Sequence, residues 1–114
     1  MIFIVMKIVI REDKRDRIAK RLLTEEFSGM YEDVNYMTDS RGEHKTIEYR
    51  NGEGIIMIYG DTDNILYICE DVTRPLNLLS YTPKQLKDVI GEWFSEFFEL
   101  PVDYIHHVNK STLN

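Results

Sequence analysis

The stretch that most constrains how this chain can fold is YTPKQLKDVIGEWFSEFFEL, residues 81–100. Thr82 carries an N-cap side chain, whose hydroxyl accepts from a free N–H of the first turn. Pro83 follows at the first helical position, where a missing N–H costs nothing. Gln85 stands three residues beyond Thr82 and completes a capping box, while Tyr81 and Leu86 hold the two positions of a hydrophobic staple. Leu86, Val89, Ile90, Trp93, Phe94, Phe97 and Phe98 then recur at three- and four-residue steps, which is one face of an α-helix. Pro101 ends it, because the residue before a proline is pushed out of helical geometry. Gly91 is the weak point, costing about 1 kcal/mol relative to Ala. A stripe so rich in aromatic groups needs a cover. Trp93 and Phe97 are expected to lie against a sheet as core, the rival being that part of the stripe forms a homodimer interface.

The sheet is written between Tyr31 and Glu70, where the hydrophobic period switches to two. Val34, Tyr36, Ile47 and Tyr49 alternate with polar residues, as in half-exposed strands. Asp39–Gly42, Asn51–Gly52 and Asp61–Asn64 read as turns, and Asn-Gly is the strongest short hairpin signal. This predicts a meander with strands near 33–38, 44–50, 54–59 and 64–70. After Pro101, VDYIHHV reads as a short last strand, and the tail 109–114 as frayed.

Before the sheet, IFIVMKIVI (residues 2–10) is apolar and β-branched, which suits a central strand covered on both faces. It is too short to span a bilayer and lacks a basic leader and a small-residue cleavage site. A helix is expected from Asp13, with Ile18, Ala19, Leu22, Leu23 and Phe27 facing inward and Gly29 at its end. The expected fold is α+β in one domain, residues 1–114: an antiparallel β-meander with two helices packed on one face, in the order β-α-β-β-β-β-α(-β).

Charge narrows the function. The net charge is −6 and uneven. Between Lys7 and Arg21 seven basic residues face three acids, whereas from Glu32 to Asp71 ten acids face three bases. From Asp88 to Asp103 there are five acids and no base. Such acidity argues against binding nucleic acid through its phosphates and suits a protein partner with a basic surface. Glu92, Glu96 and Glu99 form a row on the exposed side of the large helix, and Glu48 and Glu53 are candidates for the neighbouring sheet surface. The single cysteine, Cys69, allows no internal disulfide and points to a cytoplasmic setting. The expectation is a small acidic cytoplasmic protein-binding module. Its model is the phage- or plasmid-type inhibitor that occludes a host nucleic-acid-handling or defence protein.

A second reading starts at Tyr59-Gly60-Asp61-Thr62-Asp63-Asn64, which resembles the YGDTDS motif of family B DNA polymerases, also on a turn between two strands. The resemblance implies Asp61 and Asp63 as metal-binding carboxylates; Asn64 departs from the family's serine. It covers six of 114 residues, and the chain has no room for a polymerase. What remains is a small metal-dependent enzyme or ligand-binding domain, against which stands the fact that Asp, Thr and Asn are turn formers. His106 and His107 are adjacent, so on a strand they face opposite ways and cannot share a metal. Cys69 alternates with apolar neighbours as a buried thiol does. No HExxH, cysteine pair or glycine-rich phosphate loop is present, and no cofactor is expected.

Overall fold

The computed structural model describes the backbone of residues 2–40 and 42–114 and the side chains of residues 14–36, 38, 40 and 42–114. The fold is α+β. Helix α1 (Ile2–Phe27) leads into strands β1 (Tyr31–Asp39), β2 (Gly42–Asn51), β3 (Gly54–Gly60) and β4 (Ile65–Ile68). A short helix α2 (Glu70–Thr73) and a 3₁₀ turn (Arg74–Leu79) carry the chain to α3 (Pro83–Phe98), then to β5 (Tyr104–His107) and α4 (Lys110–Leu113). Among the described residues no helix is long and apolar enough to cross a membrane.

The meander β1–β4 is antiparallel throughout, with strand order β1-β2-β3-β4-β5. Its turns form where the sequence places them. At the β2–β3 turn Asn51 accepts the Glu53 N–H at 2.8 Å on its side chain, and Gly54 takes φ +119°, a conformation that costs glycine little. Arg41, within the stretch 39–42 that the sequence reads as a turn, lies outside the described residues.

Three expectations need correction. Residues 2–10 are not a strand: the helix begins at Ile2 and runs unbroken through the predicted Asp13 cap. An apolar β-branched run suits either state by pattern alone, and no Gly or Pro interrupts the chain between Ile2 and Phe27. The last strand does form, but β5 pairs parallel to β4, so the sheet is mixed rather than purely antiparallel. The tail is not frayed. Residues Lys110–Leu113 make a helical turn, and the Asn114 amide bonds both the N–H (2.9 Å) and the C=O (3.0 Å) of Ile55.

The register explains the core. Ile47, Tyr59, Leu66 and Ile105 align across four strands, as do Tyr49, Met57, Ile68 and His107. Between these rows lies Glu48, Ile58, Tyr67 and His106, which must face the other way because side chains alternate. Ile47, Tyr59, Leu66, Tyr49, Met57 and Ile68 of the first two rows meet Ala19, Leu23 and Phe27 of α1 and Val89, Ile90, Trp93 and Phe94 of α3, all buried in one cluster, with Ile105 partly buried against it. Tyr49 meets Phe94 edge-on at 5.4 Å between ring centroids. The Trp93 indole N–H donates to Thr24 Oγ1 at 3.1 Å, so its polar atom is satisfied inside the core.

Trp93 is buried as expected, but Phe97 is 41% exposed and Ile18 47%. Each apolar stripe is wider than the contact it makes. Phe97 stacks on Trp93 at the edge of the core instead of reaching the sheet.

Candidate functional site

The start of α3 is built as its sequence dictates. The Gln85 N–H donates to Thr82 Oγ1 at 3.2 Å, and the Thr82 N–H donates to Gln85 Oε1 at 3.0 Å. One residue earlier, the Tyr81 hydroxyl donates to Asp16 at 2.6 Å, and the Arg15 guanidinium sits 4.3 Å from the Tyr81 ring centroid. These contacts tie α1 to the entrance of α3 and set which side of α3 faces solvent. Burial and the neighbouring Asp16 carboxylate push the Tyr81 hydroxyl well above its ordinary pKa.

That outer side is acidic. Asp88, Glu92, Glu96, Glu99 and Asp103 are all exposed. They do not lie opposite the basic face of α1. Lys20 of α1 reaches Glu96 at 3.0 Å and Glu92 at 3.4 Å, so the two faces meet along a seam. Burial opposes the Lys20 charge, but the hydrogen bonds it donates to Glu96 and Glu92, with their negative charge, outweigh it and raise the ammonium pKa. Both glutamates keep well over half of their side-chain surface open to solvent. Glu99 is the C-terminal cap of α3, in the left-handed region at φ 55°.

The two sheet candidates lie apart from this row. Glu48 belongs to the sheet face turned away from the helices, where it accepts from Asn35 and Arg50, with Asp33 completing the cluster at 2.7 Å from Arg50. Glu53 sits at the β2–β3 turn, 3.3 Å from Lys110. Lys110 also meets Asp71 at 2.7 Å, and Asp71 meets Arg74 at 3.1 Å. The five glutamates therefore fall on three separate parts of the molecule.

Asp61 is engaged as a turn residue. Its carboxylate accepts the Lys45 N–H at 2.8 Å, and its own N–H donates to the Lys45 carbonyl at 3.1 Å, extending the ladder by one rung. Asn64 takes φ 53°, a left-handed position that Asn tolerates better than most residues. Its side-chain amide donates to Asp103 at 3.1 Å, and its carbonyl accepts the Asp103 N–H at 2.9 Å. The residue that departs from the polymerase-like motif is thus the latch that receives β5. Among the described residues no three His, Cys, Asp or Glu side chains stand together as a metal ion would need. His106 stacks on Tyr67 on the outer sheet face, while His107 belongs to the helix-facing row. Cys69 is fully buried, and burial raises its thiol pKa.

One feature was missed from the sequence. Between α3 and the β5 edge of the sheet runs a groove of about 580 Å³, floored by Gly91, Ser95, Val102 and Ile105. Lys84 and Lys87 stand at one end, and Glu92, Glu96 and Asp103 line it further along α3. A β-carbon on Gly91 would lie 2.9 Å from Ile105 Cδ1, so the bare glycine lets β5 approach α3 this closely. The signal was present in the sequence: Gly91 and Ser95 are small residues one turn apart on the polar side of an otherwise bulky helix.

No family model matches this chain, and neither a curated protein nor a solved structure matches it.

Proposed function

We propose that this chain is a small acidic protein-binding module that works by occupying a basic surface on a partner protein. The setting that fits is the cytoplasm, and the mode of action is that of a phage- or plasmid-type inhibitor that blocks access to a host nucleic-acid-handling or defence protein. The observation that supports this most is the run from Asp88 to Asp103, five acids with no base, every one of them exposed along α3 and the turn after it. Carboxylates concentrated on one rigid element steer a basic partner and speed its association at low salt. Glu92 and Glu96 are held in place by Lys20 yet remain open to solvent, so the row is ordered before a partner arrives.

The test is capture of the partner from the source cell, followed by titration with the purified pair. Reversing Glu92, Glu96 and Glu99 to Lys is expected to weaken binding without lowering the melting temperature by more than a few degrees. Wild-type affinity is expected to fall as salt rises through the physiological range, where the screening length is about 8 Å. A triple reversal that binds as tightly as wild type, with no dependence on salt, would leave the acids as solubilising groups only.

A further inference from the structure

We infer that the protein takes up an extended peptide segment of its partner as a sixth strand on β5, seated in the groove beneath α3. This rests on the reading of the chain as a protein-binding module and specifies how it would bind.

The sheet ends at β5. In the ladder with β4, the N–H groups of Tyr104 and Val108 donate to Asn64 and Ile68. Backbone groups along a strand alternate in direction, so the N–H and C=O of Ile105 and His107 point to the open edge. An exposed row of this kind is a template for another strand. Edge addition draws affinity from main-chain hydrogen bonds and specificity from pockets for alternate side chains.

The groove supplies those pockets beside the edge. Its helical wall is one stripe of α3, where Ile105 fills the notch at Gly91 and the small Ser95 leaves room for a side chain beside Val102 and Ile105. A second hollow of about 350 Å³ continues it past His107, lined by Leu86 and Pro83. Its two lysines, Lys84 and Lys87, stand towards the start of α3 with Asp88 beside them, and Glu92, Glu96 and Asp103 make the far end purely acidic. From Lys87 to Glu96 the helix rises about 13 Å, which an extended strand covers in about four residues. Residues i, i+2 and i+4 of a strand share a face. The segment that fits therefore carries a basic, an apolar and an acidic side chain at successive alternate positions. The apolar one lies against Ile105 and Val102, and the basic one against Glu92, Glu96 and Asp103.

The probe is a phage-displayed library of random dodecapeptides selected on the immobilised protein at low salt. Recovered peptides are expected to share that alternating pattern, read in either chain direction. Their synthetic versions are expected to slow amide exchange at Ile105 and His107. His107→Pro removes an edge donor without touching the β4 ladder and is expected to weaken binding by about tenfold or more, on the scale of a lost main-chain bond with a ring in its place. His107→Ala, which keeps the donor, is expected to bind nearly as wild type. Basic peptides that bind His107→Pro as well as wild type, or that leave exchange at Ile105 and His107 unchanged, would overturn the added strand while the acidic-surface reading stands. Selection that enriches nothing, or only peptides without a basic residue, would overturn both.

Discussion

At the scale of single residues, Gly91 shows how an apparent defect can be a requirement. In an exposed helix, replacing Gly by Ala gains about 1 kcal/mol. Here the new methyl would press on Ile105 Cδ1 at 2.9 Å, an atom at the free end of a side chain that can shift but must give up packing to do so. The two effects oppose, so Gly91→Ala is expected to lie within about 0.5 kcal/mol of wild type. Gly91→Leu cannot be housed and is expected to cost roughly 2 kcal/mol or more. Urea midpoints at equal slope measure both. Alanine stabilising the protein by the full helix-propensity gain would mean that the close approach of β5 carries no weight. Residue-level reading from sequence succeeded where one local pattern decides the outcome, as in the Thr82–Gln85 capping box and the burial of Trp93. It failed for Phe97 and Ile18, because the width of an apolar stripe does not say how much of it a neighbour covers. Glu48 and Glu53 read as candidates for a sheet surface beside the α3 row; register with the core turns Glu48 to the other sheet face, and Glu53 falls at the β2–β3 turn.

At the scale of elements, the meander was legible because each of its joints is local: period-two strands separated by recognisable turns. β5 was legible as a strand but not in its direction, which depends on α3 crossing the sheet first. The N-terminal half of α1 was misread because a β-branched run favours a strand only if a partner strand awaits it. The tail was misread because its anchors are polar and distant in sequence. Asn114 closes two bonds to Ile55, and Lys110 closes one to Asp71. Truncation after Val108 removes all three. It is expected to lower stability by about 3 kcal/mol at roughly 1 kcal/mol per partly buried bond, and to speed amide exchange at Ile55. Unchanged exchange there would show that α4 is an ornament on β3 rather than a clasp.

At the scale of the whole molecule, the pKa shifts of Lys20, Tyr49, Tyr59, Cys69, Tyr81 and Lys110 all point upward. Burial raises Tyr49 and Tyr81, and carboxylate partners raise Lys20 and Lys110. A group whose pKa is higher folded than unfolded contributes its stability in full below the unfolded value and loses it as pH rises towards the folded one. Stability is therefore expected to begin to fall as pH climbs past about 8.5, the ordinary value of Cys, and to fall more steeply from about 10, the ordinary range of Tyr and Lys. Tyr81→Phe should make that fall shallower, as a series of urea midpoints against pH would show. The mixed sheet has a further consequence, in time rather than in energy. Strands β1 to β4 close short loops between near neighbours, whereas β5 must be carried back to β4 across the whole of α3. Short closures are fast and long ones slow. The parallel strand is thus expected to join last in folding and to leave first in fluctuation. The sheet then has a seam along β4–β5, and partial opening there would come and go while the meander stays shut.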